Sequence, residues 1–114
     1  MKNELEARTL DFALRIIAYV ETLPKSTTGW ILGRQLVKAG TSIGANYREA
    51  GRAESRDDFI HKVGIAEKEA AETEYWLLVC HRAQLSAASI EDLVDESRQL
   101  LAILTTIGRK AKGR

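Results

Sequence analysis

Arg48, Arg52 and Arg56 recur every four residues, so on one continuous helix their guanidinium groups would form a single ridge. Guanidinium pairs bidentately with phosphate oxygens. With Arg34, Lys38 and the terminal Arg109, Lys110, Lys112 and Arg114, such a ridge suits a nucleic-acid backbone. The same charges also suit a solvated face, or ion pairs to an acidic helix of a neighbouring subunit. Ser42 and Asn46 stand one turn apart beside the apolar stripe Leu36, Ala39, Ile43 and Ala50. A polar amide there either contacts a ligand or RNA base, or bonds a neighbouring helix, with Glu69, Glu72 and Thr73 as the expected partners. A buried amide of that kind can fix register or oligomer state.

Catalytic chemistry finds no constellation. A di-iron bundle uses two Glu-x-x-His pairs and further glutamates. Here Asp58-x-x-His61 is one such pair, and His81 has Leu78 three residues before it. Cys80 and His81 are adjacent, and neighbouring helical positions diverge by about 100°, so they do not face each other. Cys80 falls on an apolar stripe and reads as core. No glycine loop cradles a phosphate. The expectation is a protein without enzymatic activity, metal or cofactor.

The elements that must position these residues are helices. A first helix runs from about Glu4 to Thr22, with Leu5, Thr9, Phe12, Ile16, Tyr19 and Leu23 as its stripe. Ala13, Leu14, Ile17 and Val20 widen that stripe. Leu23-Pro24 closes the helix, because the residue before proline avoids the helical region. Thr27 or Thr28 is the expected cap of a second helix reaching about Arg52. Ser55 with Asp58 marks the start of a third, whose stripe is Phe59, Val63, Ala66, Ala70, Thr73, Leu77 and Cys80, ending near Gln84. Ser89 with Asp92 marks a fourth, burying Ile90, Leu93, Val94, Ser97, Leu100, Leu101, Leu104 and Ile107, and Gly108 ends it. Four amphipathic helices on short connections predict an all-α, antiparallel up-down-up-down bundle over 1–108, followed by a basic tail over 109–114. Gly40-x-x-x-Gly44 fits a close helix approach.

Charge is unevenly spread along the 114 residues, whose net charge is +1. Residues 29–56 hold five cations and two carboxylates, whereas residues 57–79 hold six carboxylates and two cations. Trp30, Ile31, Trp76, Leu78 and Val79 lie partly off the stripes, and left outside they would form a patch larger than a monomer usually exposes. That surplus predicts self-association, with Trp30, Ser42, Asn46, Tyr47 and Trp76 as candidate oligomer or helix-packing residues. No apolar run approaches the roughly 18–20 residues that span a bilayer. Glu4, Glu6 and Asp11 argue against a targeting leader. The single cysteine suits a reducing cytoplasm.

The segment from Gln35 through Ala50, containing Ala39-Gly40-Thr41-Ser42-Ile43-Gly44-Ala45-Asn46-Tyr47-Arg48-Glu49, resembles the core motif of a known family. These are the four-helix-bundle proteins associated with intervening sequences in bacterial 23S rRNA genes. The likeness continues through Ser55, Asp58-Phe59-Ile60, Lys62, Ile65-Ala66, Lys68-Glu69 and Glu72-Thr73-Glu74-Tyr75-Trp76-Leu77, over roughly residues 5–107. Ala50 stands where the family often has glycine. The resemblance implies a small bacterial cytoplasmic protein that assembles into a ring, expected to be a homopentamer, with RNA or nucleoprotein partners. A related bundle serves as accessory to the reverse transcriptase of diversity-generating retroelements. The rival expectation is a protein-binding scaffold that docks its partner through Trp30, Trp76 and the charged rims.

Overall fold

The computed structural model describes residues 3–113 and forms four helices: α1 (Glu4–Val20), α2 (Thr27–Ala50), α3 (Arg56–Arg82) and α4 (Glu91–Ala111). Each helix packs on the next, α4 returns to α1, and the diagonal pairs α1/α3 and α2/α4 do not approach each other. Contacts run in opposite senses along every neighbouring pair. Gly33 lies by Val20 while Gly44 lies by Thr9. Glu49 pairs with Lys62, and Lys38 acts on Glu69. Glu67 accepts from Thr105 while Glu74 accepts from Arg98. The topology is therefore the expected up-down-up-down bundle, 45 Å long and 24 × 22 Å across. Its upper end carries the α1–α2 and α3–α4 loops. Its lower end carries the α2–α3 loop with the N-terminus of α1 and the C-terminus of α4.

The stripes read from spacing form the core. Phe12, Ile16, Leu36, Ile43, Val63, Leu77, Leu100 and Leu104 are fully buried. Burying an aliphatic side chain of this size is worth about 1.5–3 kcal/mol, which holds each helix on the bundle despite its glycines. Leu14 and Ile17 depart from expectation. They are 57% and 38% exposed and lie in one row with Leu10, because α1 has neighbours on only two sides and its third face meets solvent.

Glycines set the distance between α1 and α2. A Cβ on Gly40 would stand 2.8 Å from Ile16 Cγ2, and one on Gly44 would stand 2.8 Å from Thr9 Oγ1. The Gly-x-x-x-Gly step is a helix-packing device, as its spacing suggested. Gly29 serves the turn below: a Cβ there would lie 1.9 Å from the Pro24 carbonyl oxygen. The chain folds tightly under the start of α2, where the Ser26 hydroxyl accepts from the Gly29 N–H at 3.1 Å.

Six boundaries move, two of them slightly: α1 ends at Val20 rather than Thr22, and α3 at Arg82 rather than near Gln84. The cap of α2 is Ser26 rather than Thr27 or Thr28, since the Pro24 turn brings its hydroxyl back over the first N–H groups. Helix α2 also stops at Ala50, with Gly51 as its C-cap. Ser55 caps α3 as expected, accepting from Asp58 N at 3.0 Å, but Ile90 rather than Ser89 stands at the start of α4, without a side-chain cap. Gly108 does not end α4, which continues to Ala111. Gly108 is buried near Val63 and Glu67 of α3, where a Cβ would meet them only at ordinary contact distances of 3.7 and 3.8 Å. The basic segment is accordingly a last helical turn, whose cations complement the negative end of the helix dipole.

The α3–α4 loop begins with a Schellman turn. Leu85 N–H donates to Cys80 O at 3.1 Å and Gln84 N–H to His81 O at 3.0 Å, with Gln84 left-handed at φ 58°. Glycine usually takes that position.

Candidate nucleic-acid interface

Arg48, Arg52 and Arg56 do not share a helix face. Helix α2 ends at Ala50 and α3 starts at Arg56, so the expected continuous ridge is corrected: the chain reverses between them. The reversal nonetheless keeps them together at the lower end of the bundle. Arg48 sits in the last turn of α2, Arg52 in the loop, and Arg56 in the first turn of α3. The antiparallel return of α4 delivers Arg109, Lys110 and Lys112 to the same end. Arg56 Nε donates to the Ala111 carbonyl oxygen, which ties the start of α3 to the end of α4. Arg114 lies outside the described residues.

Three different neighbourhoods result. Arg48 faces Glu6 at 3.8 Å, a loose exposed pair. Such pairs contribute about 0–1 kcal/mol and exchange readily for another anion. Arg52, Arg109, Lys110 and Lys112 are exposed and, among the described residues, have no carboxylate within ion-pairing distance. Glu49 at this end is engaged by Lys62 at 2.7 Å, an exposed pair that raises the lysine's pKa. Asp58 accepts from the Glu54 backbone N–H. Asn3, Glu6, Arg48, Gly51 and Arg52 frame an open concavity here, about 570 Å³ in volume.

Arg34 and Lys38 are elsewhere. Fourteen residues separate Arg34 from Arg48, about 21 Å along a helix. Both line a groove between α1 and α2 near the upper end, with Val20, Leu23, Trp30 and Val37, about 820 Å³ in volume. The eight candidate cations among the described residues therefore form two groups rather than one. Trp30 is 65% exposed in that groove and Ile31 57% exposed beside it. Trp76 is half-buried against the core and meets Tyr75 edge-on, ring centroids 5.0 Å apart. The two tryptophans thus play different parts: one packs, the other faces solvent. Sequence missed Leu10, which continues the exposed row of α1; its i, i+4, i+7 spacing with Leu14 and Ile17 was the available signal.

The polar residues of α2 also resolve differently. Asn46 Nδ2 donates to Ser42 O at 2.8 Å, within its own helix, and the Ser42 hydroxyl donates to Lys38 O. Thr73 likewise donates to Glu69 O at 2.7 Å. The expected bond from Asn46 to Glu69, Glu72 or Thr73 is therefore absent. Register explains it. With Lys38 acting on Glu69 and Glu49 on Lys62, Asn46 lies level with the α3 turn around Val63, roughly two to three turns from those partners. Tyr47 is half-buried against the core, as helix packing requires.

No three His, Cys, Asp or Glu side chains converge among the described residues. Cys80 is buried, and burial pushes its thiol pKa up, away from thiolate chemistry. No helix among the described residues is long and apolar enough to cross a membrane.

Residues 1–106 match the model of the family described as 23S rRNA-intervening sequence protein. The chain belongs to this family. A crystal structure of a protein with unknown function, described as from the S23 ribosomal protein family of Bacteroides thetaiotaomicron, is similar to it. The two share 38% identity over 91% of this chain and 97% of that one, with a TM-score of 0.83. No curated protein matches the chain. The intervening-sequence family assignment covers all four helices and both groups of cations except the last turn of α4.

Proposed function

We propose that this intervening-sequence family member is a non-enzymatic, self-associating accessory protein of the cytoplasm that binds RNA or a ribonucleoprotein through its lower end. The observation that carries the reading is the convergence there of Arg48, Arg52, Arg56, Arg109, Lys110 and Lys112 from two separate chain segments, the α2–α3 reversal and the end of α4. Convergence from separate segments matters because it spreads six cations, interspersed with the exposed Glu54 and Asp57, over a two-dimensional surface wide enough to meet several phosphates at once. Each contact is weak. A ring of copies, with a homopentamer as the form the family resemblance implies, repeats the surface, and multivalency multiplies weak contacts into avidity. The family name supports an RNA setting.

The test is fluorescence anisotropy of a labelled structured RNA across a salt series. Reversing Arg52, Arg109 and Lys112 to Glu should weaken binding at least a hundredfold at moderate salt while assembly persists. Unchanged affinity in that variant overturns the reading. A second reading, a protein-binding scaffold without nucleic-acid contact, is favoured by one specific observation, the solvent-facing Trp30 in its apolar groove. Binding that resists added salt would select it, because phosphate contacts weaken steeply with salt and apolar docking does not.

A further inference from the structure

The upper end of the bundle carries two features on opposite edges. On the α1–α2 edge, Trp30 and Ile31 face solvent, with Lys25, Arg34 and Lys38 exposed around them. On the α3–α4 edge, the loop following the Schellman turn forms a recess of about 650 Å³ lined by His81, Gln84, Ala87, Ala88, Ile90 and Glu91. Beside it, Glu91, Asp92 and Asp95 are exposed on the first turns of α4, with Arg82 at the end of α3 and Arg98, which pairs with Glu74 and also acts on Asp95, as the nearby cations. Topology dictates both placements. Up-down-up-down order sends the α1–α2 and α3–α4 loops to the same end, as the Thr22–Ser86 hydroxyl contact at 2.6 Å shows. The same order puts these two pairs of helices on opposite edges of the square.

The geometry points to a head-to-tail contact between copies of this chain, in which Trp30 of one copy seats in the α3–α4 loop recess of the next. This rests on the self-association proposed above and names its surfaces. Three arguments select a second copy as the occupant. The charges are complementary in balance: three cations against one carboxylate, Glu21, surround Trp30, and Glu91, Asp92 and Asp95 flank the recess against Arg82, Arg98 being engaged by Glu74. The shapes are complementary too, since an aromatic side chain that buries about 150–250 Å² needs a concave partner. Both surfaces also lie at the same height, so copies standing side by side in one orientation bring one to the other without tilting. A contact of this kind is heterologous, and repetition of it gives a closed ring or an open fibre according to the rotation between copies. In such an interface the buried aromatic carries affinity, while the charges set partner and register.

The charges supply the test. One variant, Arg34→Glu with Lys38→Glu, is acidic on both edges. A second, Asp92→Lys with Asp95→Lys, is basic on both. Each should associate at least tenfold more weakly than wild type in sedimentation equilibrium, with unchanged helix content by circular dichroism. Mixed one to one, they should recover heavy species that neither forms alone, which a misfolded variant could not do. Trp30→Ala should weaken association further than either pair. Assembly of each charge variant at wild-type strength, or no recovery on mixing, overturns this pairing of surfaces while leaving self-association intact. A wild-type chain that stays monomeric at all concentrations overturns the self-association itself.

Discussion

The two ends of this bundle use the same kinds of residue for different ends. At the lower end, cations from α2, α3, α4 and the intervening loop meet on a surface with little exposed apolar area. At the upper end, Arg34 and Lys38 surround an exposed tryptophan, and carboxylates gather on the opposite edge. Cations spread over a polar surface suit a phosphate backbone, which needs charge and little shape. Cations around an aromatic suit a protein surface, which needs an apolar anchor and uses charge to orient it. The comparison teaches that charge counts along a chain do not define a site; what surrounds each charge does.

Damage confined to the upper end should produce the largest effect. Gly29→Ala drives a methyl group into the Pro24 carbonyl and should cost about 2–3 kcal/mol, seen as a melting temperature lower by about 10 °C. A melting temperature within a degree of wild type would mean the turn adapts freely. Next, Trp30→Ala should weaken RNA binding about tenfold although it lies at the far end, because it removes avidity rather than a phosphate contact. Anisotropy with a short RNA that one subunit can fill should show no such loss. A smaller effect of opposite sign is expected from Gln84→Gly. Glycine relieves the left-handed strain at the Schellman turn, for a net gain of about 0.5 kcal/mol measured by urea denaturation.

The smallest effect concerns the middle of the molecule. Glu69 has a buried oxygen without a partner. Burial, then the neighbouring Glu72, hold its carboxyl above the ordinary value of 4.5, against the opposing pull of Lys38 and Lys68. A raised carboxyl pKa means the folded state holds the proton more tightly than the unfolded state. Its stabilising contribution is therefore full below the ordinary value and is lost as pH rises through the folded one. Glu69→Gln should leave the melting temperature unchanged near pH 4 and raise it by about 1–2 °C at pH 7. An equal gain at both pH values would assign the effect to packing instead of ionisation.

Much of the fold was legible because one physical signal, apolar residues at helical spacing, decides which face is buried. Phe12, Ile16, Leu36, Ile43, Leu77, Leu100 and Leu104 were all placed correctly by it. The same signal overreached at Leu14 and Ile17, where an apolar side chain faces solvent; spacing cannot tell a wide buried stripe from a second, exposed one. The end of α3, expected near Gln84 and found at Arg82, was hard to define because the left-handed residue beyond it, Gln84, is not glycine. Gly108 misled for the opposite reason, being a glycine inside the helix in a position that resembled a terminator. At the candidate site, the individual cations were legible but not their grouping. Whether Arg48, Arg52 and Arg56 form a ridge depends on where α2 stops, and whether Asn46 reaches Glu69 depends on the register between α2 and α3. Both are tertiary facts that a one-dimensional pattern does not contain.

The division of labour between the ends can be tested in one titration. Binding of a labelled structured RNA would be measured across a salt series for three proteins: wild type, Arg52→Gln with Arg109→Gln and Lys112→Gln, and Arg34→Gln with Lys38→Gln. Each protein would be held at a concentration where it is fully assembled. The slope of log affinity against log salt reports the phosphates neutralised, at roughly 0.7–0.9 per contact. The account predicts a slope shallower by about 2–3 for the lower-end variant and an unchanged slope for the upper-end variant. Equal loss of slope in both variants, or no salt dependence in the wild type, would contradict it.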